Sequence, residues 1–193
     1  MLDLVILMAM KVHIPFTYED YKSLPESETK RYELLGGELV MVPAPLTYHQ
    51  RVSRNLEGFL WDFVKDNELG EVYSAPIDVV LGRPGKEDVV QPDILFVAKD
   101  RLSIIAEEEI RGAPDLVVEI FSPSTAERDR TYKKRLYGRN GVKELWLVDP
   151  DLKTVEVFQW TRRGFQSKAV YGHKDQLVSP LLPGLTIPLR EVF

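Results

Sequence analysis

Residues 115–148, DLVVEIFSPSTAERDRTYKKRLYGRNGVKELWLV, read as strand, helix, strand. Asp115 to Phe121 has apolar residues on both faces, the pattern of a central strand covered on both sides. Ser122-Pro123 stops it, and Ser124 to Asn140 follows as a helix, with Ser124 and Glu127 at capping-box spacing and Gly141 at the C′ position. Glu144 to Val148 is the second central strand, closed by Asp149-Pro150. Such a unit favours a parallel pair joined by a right-handed crossover.

Outward from this unit the chain is rich in strands. Thr17 to Arg31 reads as a short polar helical segment interrupted near Pro25, and Tyr32 to Pro43 as a hairpin turning at Gly36-Gly37. Thr47 to Val64 is an amphipathic helix, because Val52, Leu56, Phe59, Leu60 and Phe63 recur at helical spacing. Glu71 to Leu81 reads as one strand ended by GRPG, and Gln91 to Ala98 as another. Asp100 to Gly112 is helical or irregular. Thr154 to Trp160 and Gly164 to Tyr171 form a further hairpin, and short extended pieces around Leu185 to Pro188 end the chain. The expected fold is α/β or α+β with one mixed sheet, in a single domain over residues 1–193.

Composition narrows the chemistry. The 193 residues are 44% hydrophobic and 28% charged, ordinary for a globular protein. There is no cysteine, which excludes disulfides, zinc–thiolate sites and a thiol nucleophile. His13, His49 and His173 are scattered, so a metal would be held by carboxylates, as suits Mg²⁺ or Mn²⁺. A net charge of −5 argues against a basic nucleic-acid coat but leaves room for a local basic patch. The apolar run Leu4 to Met10 is far shorter than the ~20 residues of a membrane span. Residues 1–10 read as a short strand or an upstream extension, and the protein as cytoplasmic with no membrane partner.

Glu119 interrupts an otherwise apolar buried strand, where an ionised carboxylate is costly unless paired or metal-bound. Alone it reads equally well as a structural ion pair. Asp93, after Pro92, opens another apolar strand, and alone it reads as a strand-entry residue. If the two strands are neighbours, both carboxylates reach one ion. Asp115 is four residues from Glu119, about 13 Å along the strand, too far to share that ion, and reads as a strand-start residue. The 124–140 helix carries Arg128, Arg130, Lys133, Lys134, Arg135 and Arg139. Most of these read as a solvated basic face, with Asp129 and Lys133 paired at i,i+4. The helix can nevertheless bring one lysine over the carboxylates. Tyr132 and Leu136 are expected to face the core, with Lys133 and Tyr137 on an adjoining stripe.

Gln91-Pro92-Asp93, LVVEI ending at Ile120, Lys133, Tyr137 and GVKELWLVDP (141–150), with YELLGGELV (32–40) and His49 before them, resemble in order and spacing the Uma-type restriction endonuclease family of the PD-(D/E)xK nuclease superfamily. The resemblance runs from about Phe16 to Val157. It implies a restriction endonuclease-like fold, a central mixed β-sheet flanked by helices with additional β-hairpins, and a Mg²⁺- or Mn²⁺-dependent endonuclease acting on DNA. Asp93 matches the PD aspartate and Glu119 the acidic residue of the (D/E)xK strand, while Phe121 stands where the lysine is expected and Lys133 matches a lysine moved to the next helix. The implied metal ligands are Asp93, Glu119 and the carbonyl of Ile120. Lys133 would assist catalysis, and Glu33, His49 and Tyr137 are auxiliary candidates. On the residues alone, Glu33 equally fits a surface ion pair, and His49 fits a packed, hydrogen-bonded histidine. Two other readings stay open: a nuclease-fold binding or assembly module without turnover, and an unrelated α/β domain with structural carboxylates. Double-strand cutting implies a homodimer or higher homo-oligomer, for which the hairpins after Asp149 are candidate interfaces.

Overall fold

The computed structural model describes residues 14–25, 31–122 and 129–193. Helix α1 (Tyr18–Lys22) opens with a capping box in which the Thr17 side chain accepts from the Asp20 N–H and the Asp20 carboxylate accepts from the Thr17 N–H. Strands β1 (Arg31–Leu35) and β2 (Glu38–Val42) form a hairpin whose turn is Gly36-Gly37, with φ of 61° and 83°. The long helix α2 (Thr47–Asp66) buries Val52, Leu56, Leu60 and Val64. Strands β3 (Gly70–Ser74), β4 (Asp78–Arg83), β5 (Lys86–Val90) and β6 (Ile94–Ala98) follow, then a 3₁₀ turn over Lys99–Ile104, β7 (Glu109–Arg111) and β8 (Leu116–Ile120). A π-helical turn (Asp129–Lys133) leads into helix α3 (Lys134–Asn140), which ends at Gly141 in the left-handed region, φ 93°. The C-terminal part supplies β9 (Glu144–Asp149), β10 (Thr154–Thr161), β11 (Gly164–Gly172), β12 (Gln176–Val178) and β13 (Thr186–Pro188).

Two main sheets result. The six-stranded sheet has the order β11-β10-β9-β8-β6-β3, with β8 and β9 as its parallel pair and β6 antiparallel to β8. The five-stranded sheet has the order β2-β1-β5-β4-β7. Strand alternation divides β8 between two cores. Leu116, Val118 and Ile120 pack with the buried stripe of α2 and the C-terminal residues Leu177 and Ile187. Val117 and Phe121 pack with Leu136 and Tyr137 of α3 and with Leu35, Val79 and Val90 of the second sheet. Glu119, between Val117 and Phe121, therefore points toward α3 and the second sheet.

The hairpins, α2 and the parallel β8–β9 pair are where the sequence predicts them. The expected single strand Glu71–Leu81 is instead two strands in different sheets, β3 and β4, separated at the cis Ala75–Pro76 bond. The one expected sheet is correspondingly two, since β4 and the unpredicted β5 build the second with the β1–β2 hairpin. Of the helical segment expected over Thr17–Arg31, the described residues show α1, and Arg31 begins a strand; residues 26–30 lie outside the described residues. Asp100–Gly112 holds a 3₁₀ turn and the strand β7. The extension at 1–10 and the Ser124–Glu127 capping box lie outside the described residues. Among the described residues, no helix is long and apolar enough to cross a membrane.

Asp115 is a structural anchor at the start of β8. Its carboxylate accepts from the Ala98 N–H at 2.8 Å and contacts Arg101 at 2.9 Å and Lys143 at 2.7 Å. Burial pushes this carboxyl up, but the Ala98 N–H, Lys143 and Arg101 together hold it below the usual carboxylate range. Ionised Asp115 thus stabilises the fold above the unfolded carboxylate pKa of ~3.9, and that contribution disappears as pH falls through the lower folded value. Asp115→Asn is expected to lower the urea midpoint at pH 7, with the gap to wild type closing under acid. Leu56→Ala, at a fully buried position of α2, is expected to cost about 2–5 kcal/mol in the same measurement.

Candidate active site

Glu119 does not sit in the apolar core unaccompanied. Lys133 donates to both its oxygens, at 3.2 and 3.3 Å, and the Tyr137 hydroxyl makes a short hydrogen bond to Oε1. Lys133 and Tyr137 are four residues apart, so helical winding brings both to the Glu119 side. The Lys133 ammonium also meets Glu33 Oε1 at 2.8 Å, and that oxygen accepts from the Gln91 N–H at 3.0 Å. Glu33, Glu119, Lys133 and Tyr137 are all buried, none more than 5% exposed. Four elements converge here: β1 brings Glu33, β8 brings Glu119, the π-helical turn brings Lys133 and α3 brings Tyr137.

This arrangement decides between readings that the sequence left open. Lys133 is not part of the solvated basic face but a buried ammonium between two carboxylates; the side chain of Asp129, its expected partner, lies outside the described residues. Glu33 is not a surface ion-pair residue but one side of that buried triad. Tyr132 is only half-buried and donates to Asp88 at 2.7 Å, while Leu136 and Tyr137 face the core.

Asp93 adjoins the triad across the sheet. It precedes β6, whose Ile94 pairs with Val118, so continuing the antiparallel register sets Asp93 opposite Glu119. The Ile120 N–H donates to Asp93 Oδ2 at 2.7 Å. From the α2 side, His49 Nε2 lies 3.0 Å from the Ile120 carbonyl and 3.4 Å from Asp93 Oδ1. His49 is therefore hydrogen-bonded, as its sequence position suggests, and it touches two of the three expected metal ligands. A polar cavity of about 80 Å³ opens at Asp93 and His49, with Arg31, Gln50 and Arg54 among its lining.

The expected residues thus form two adjoining groups joined by the Glu119–Ile120 peptide: Glu33, Glu119, Lys133 and Tyr137 on one side, Asp93, Ile120 and His49 on the other. Two carboxylates, Glu33 and Glu119, flank one ammonium, a formal excess of one negative charge when all are ionised, and the adjoining Asp93 carboxylate lies against His49 and the Ile120 N–H. Carboxylate and carbonyl oxygens are donors of the kind that hard divalent ions take. Asp93 Oδ1 and the Ile120 oxygen already reach one common point, that of His49 Nε2, whereas Glu119 faces its ammonium. In kind and charge the residues fit such an ion. Among the described residues, no group of three His, Asp or Glu side chains is drawn together tightly enough to hold one as it stands. Arg31, Arg54 and the Gln91 N–H were not legible as site members. Arg54 was visible only as an off-stripe charge on α2, and a backbone donor leaves no trace in side-chain pattern.

Comparison with known proteins agrees with this architecture. The model of the Uma2 family, described as "Putative restriction endonuclease", matches residues 18–190. An uncharacterised protein of Synechocystis sp. is 24% identical over 144 residues, 74% of this chain and 80% of that protein. The fold is similar to the crystal structure of "a putative nuclease belonging to DUF820" from Anabaena variabilis, with a TM-score of 0.76 at 22% identity, covering 93% of this chain and 98% of that one. The mixed α+β architecture is accordingly of the restriction endonuclease-like type.

Removing one partner from a buried ion cluster leaves the others uncompensated, which costs about 3–5 kcal/mol. Lys133→Met is expected to destabilise the fold by that amount in urea unfolding. The triple variant Glu33→Gln, Glu119→Gln, Lys133→Met is expected to recover most of it.

Proposed function

Because this chain belongs to the Uma2 family of restriction endonuclease-like proteins, we propose that it is a divalent-metal-dependent endonuclease hydrolysing DNA phosphodiester bonds, with Asp93, Glu119 and Lys133 as its catalytic residues. The observation that carries the reading is the buried Glu33–Lys133–Glu119 triad beside Asp93. A simple core has no use for two buried carboxylates around one ammonium with a third carboxylate adjoining them, because each buried charge carries a desolvation cost. A cluster with excess negative charge next to an arginine-lined polar opening suits a cation and a phosphate.

Asp93, Glu119 and the Ile120 carbonyl would hold Mg²⁺ or Mn²⁺. Such an ion, when bound, lowers the pKa of a coordinated water and neutralises charge on the phosphate. The remaining roles fall to the chain. The Ile120 N–H fixes one oxygen of Asp93 and leaves the other directed to the opening. Tyr137 fixes one oxygen of Glu119. Lys133, held from behind by Glu33, has an ammonium whose protons orient the attacking water or stabilise negative charge developing on the phosphate. Gln91 holds Glu33 in turn, so Glu33 is a positioning residue for the lysine. Arg31 and Arg54 line the opening where a phosphate would arrive. Cutting both strands would require two copies of the chain, most simply a two-fold dimer.

A second reading, a binding or assembly module of the same fold without turnover, draws on one observation: Glu119 is directed at Lys133 and Tyr137 rather than at the point shared by Asp93 and Ile120. It expects nucleic-acid or protein binding that persists in EDTA and no cleavage with any divalent ion.

On plasmid and oligonucleotide DNA with Mg²⁺ or Mn²⁺, Asp93→Ala and Glu119→Ala are expected to reduce cleavage to background. Lys133→Met is expected to cost about 10²–10³ in rate, the range for losing one charge-stabilising donor. Equal cleavage by wild type and all three variants would assign the activity to a contaminant.

A further inference from the structure

Beside the catalytic cluster, and unused by it, a groove of about 620 Å³ runs between the 130–139 helical segment and the β10–β11 hairpin. Arg130, Lys134, Arg135 and Arg139 line one wall, Trp160 and Phe165 the other, and among the described residues no carboxylate lines it. In a protein of net charge −5 this is a marked local concentration of positive charge. Arg139 and Arg130 are balanced by Asp88 at 2.6 Å and Asp149 at 3.3 Å, but among the described residues Lys134 and Arg135 have no carboxylate within ion-pair distance. Lys134 lies over the Phe158 ring at 3.4 Å. Burial lowers its pKa, with Glu156 opposing that and Arg130 adding to it.

The aromatic wall is built rather than incidental. Trp160 is 39% exposed and meets Phe165 edge-on at 5.5 Å. A side chain at Gly138 would collide with the indole at 2.7 Å, so glycine there lets the ring lie against α3. The groove also joins the catalytic side: Arg130 stacks over Phe121 at 4.2 Å, and Phe121 is two residues from Glu119.

We propose that this groove binds single-stranded DNA leading to or from the scissile phosphate, with Lys134 and Arg135 on phosphates and Trp160 stacked on an unpaired base. The assignment rests on the nuclease reading for its placement beside the chemistry. Cations alone would serve a duplex equally. An exposed indole serves a strand whose base faces are free, since stacking works on any unpaired base and needs no sequence.

The test is fluorescence anisotropy of a labelled 15-nucleotide DNA in EDTA, where nothing is cut. Arg135→Glu with Lys134→Glu is expected to weaken binding tenfold or more and to flatten its salt dependence. Trp160→Ala is expected to weaken binding about tenfold for the normal strand and not for an abasic strand of equal length. Thermal unfolding checks that each variant is folded, and Arg135→Ala, at an exposed position, serves should the double reversal fail to fold. Unchanged affinity in these variants overturns the proposal, as does equal affinity for blunt duplex. A concentration-dependent dimer abolished by the same substitutions also overturns it, assigning the face to a second copy of the chain. The nuclease reading fails separately: if Asp93→Ala leaves cleavage intact while the groove variants lose binding, only the chemistry is misassigned.

Discussion

A carboxylate on β8, covered by side chains on both faces of its sheet, is the constraint around which this molecule is arranged. Glu119 is 3% exposed, with Val117 and Phe121 as its neighbours on the same face. Such a group survives only when charge and hydrogen bonds reach it inside the protein. Here they come from the next helix as an ammonium and a phenol. That need fixes the rotation of the 129–140 segment, since Lys133 and Tyr137 must both face the strand. It also draws in Glu33, whose own burial is tolerated because the same ammonium reaches it at 2.8 Å.

The cluster binds the two sheets to each other. Glu33 belongs to the five-stranded sheet and Glu119 to the six-stranded one, and Lys133 spans them. Gln91 adds a backbone donor from the segment between β5 and β6, one of the connections that carry the chain from one sheet to the other. Polar contacts at this seam set the register of two apolar surfaces that packing alone would define less sharply. The polar opening at Asp93 and His49 is lined from both sheets, by Arg31 of β1 and Ser74 of β3.

Much of this was legible in sequence, for identifiable reasons. The DLVVEIF and ELWLV strands were readable because two-sided burial writes an unbroken apolar run, and Glu119 stood out against it. α2 was readable from its 3.6-residue stripe, and the first hairpin from Gly36-Gly37. The split of 71–81 into two sheets was not, since Ser74 to Ile77 leaves the apolar pattern nearly continuous and pairing partners are set by distant strands. β5, KEDVV, hid because its charged first half is on the exposed end of a hairpin. The inward turn of Lys133 was hidden for a different reason. A helix crowded with basic residues looks uniformly solvated, and only the position of Glu33, a hundred residues earlier, determines which cation is buried.

The geometry bears on the lysine that the resemblance leads one to expect two residues after Glu119. A residue two positions on from Glu119 in β8 lies on the same face of the sheet, about 6.6 Å along the strand. Phe121 holds that position and packs into the core shared by α3 and the second sheet. A lysine side chain there would have to cross that apolar surface to reach the carboxylates. Lys133 approaches the same face from the helical segment, buried and with its ammonium already between Glu33 and Glu119. The two origins deliver a charge to the same side of the same strand. What matters for the proposed chemistry is where the ammonium ends, not which element carries it. With Phe121 at the strand position, the Arg130 guanidinium lies over its ring at 4.2 Å, between the basic groove and Glu119.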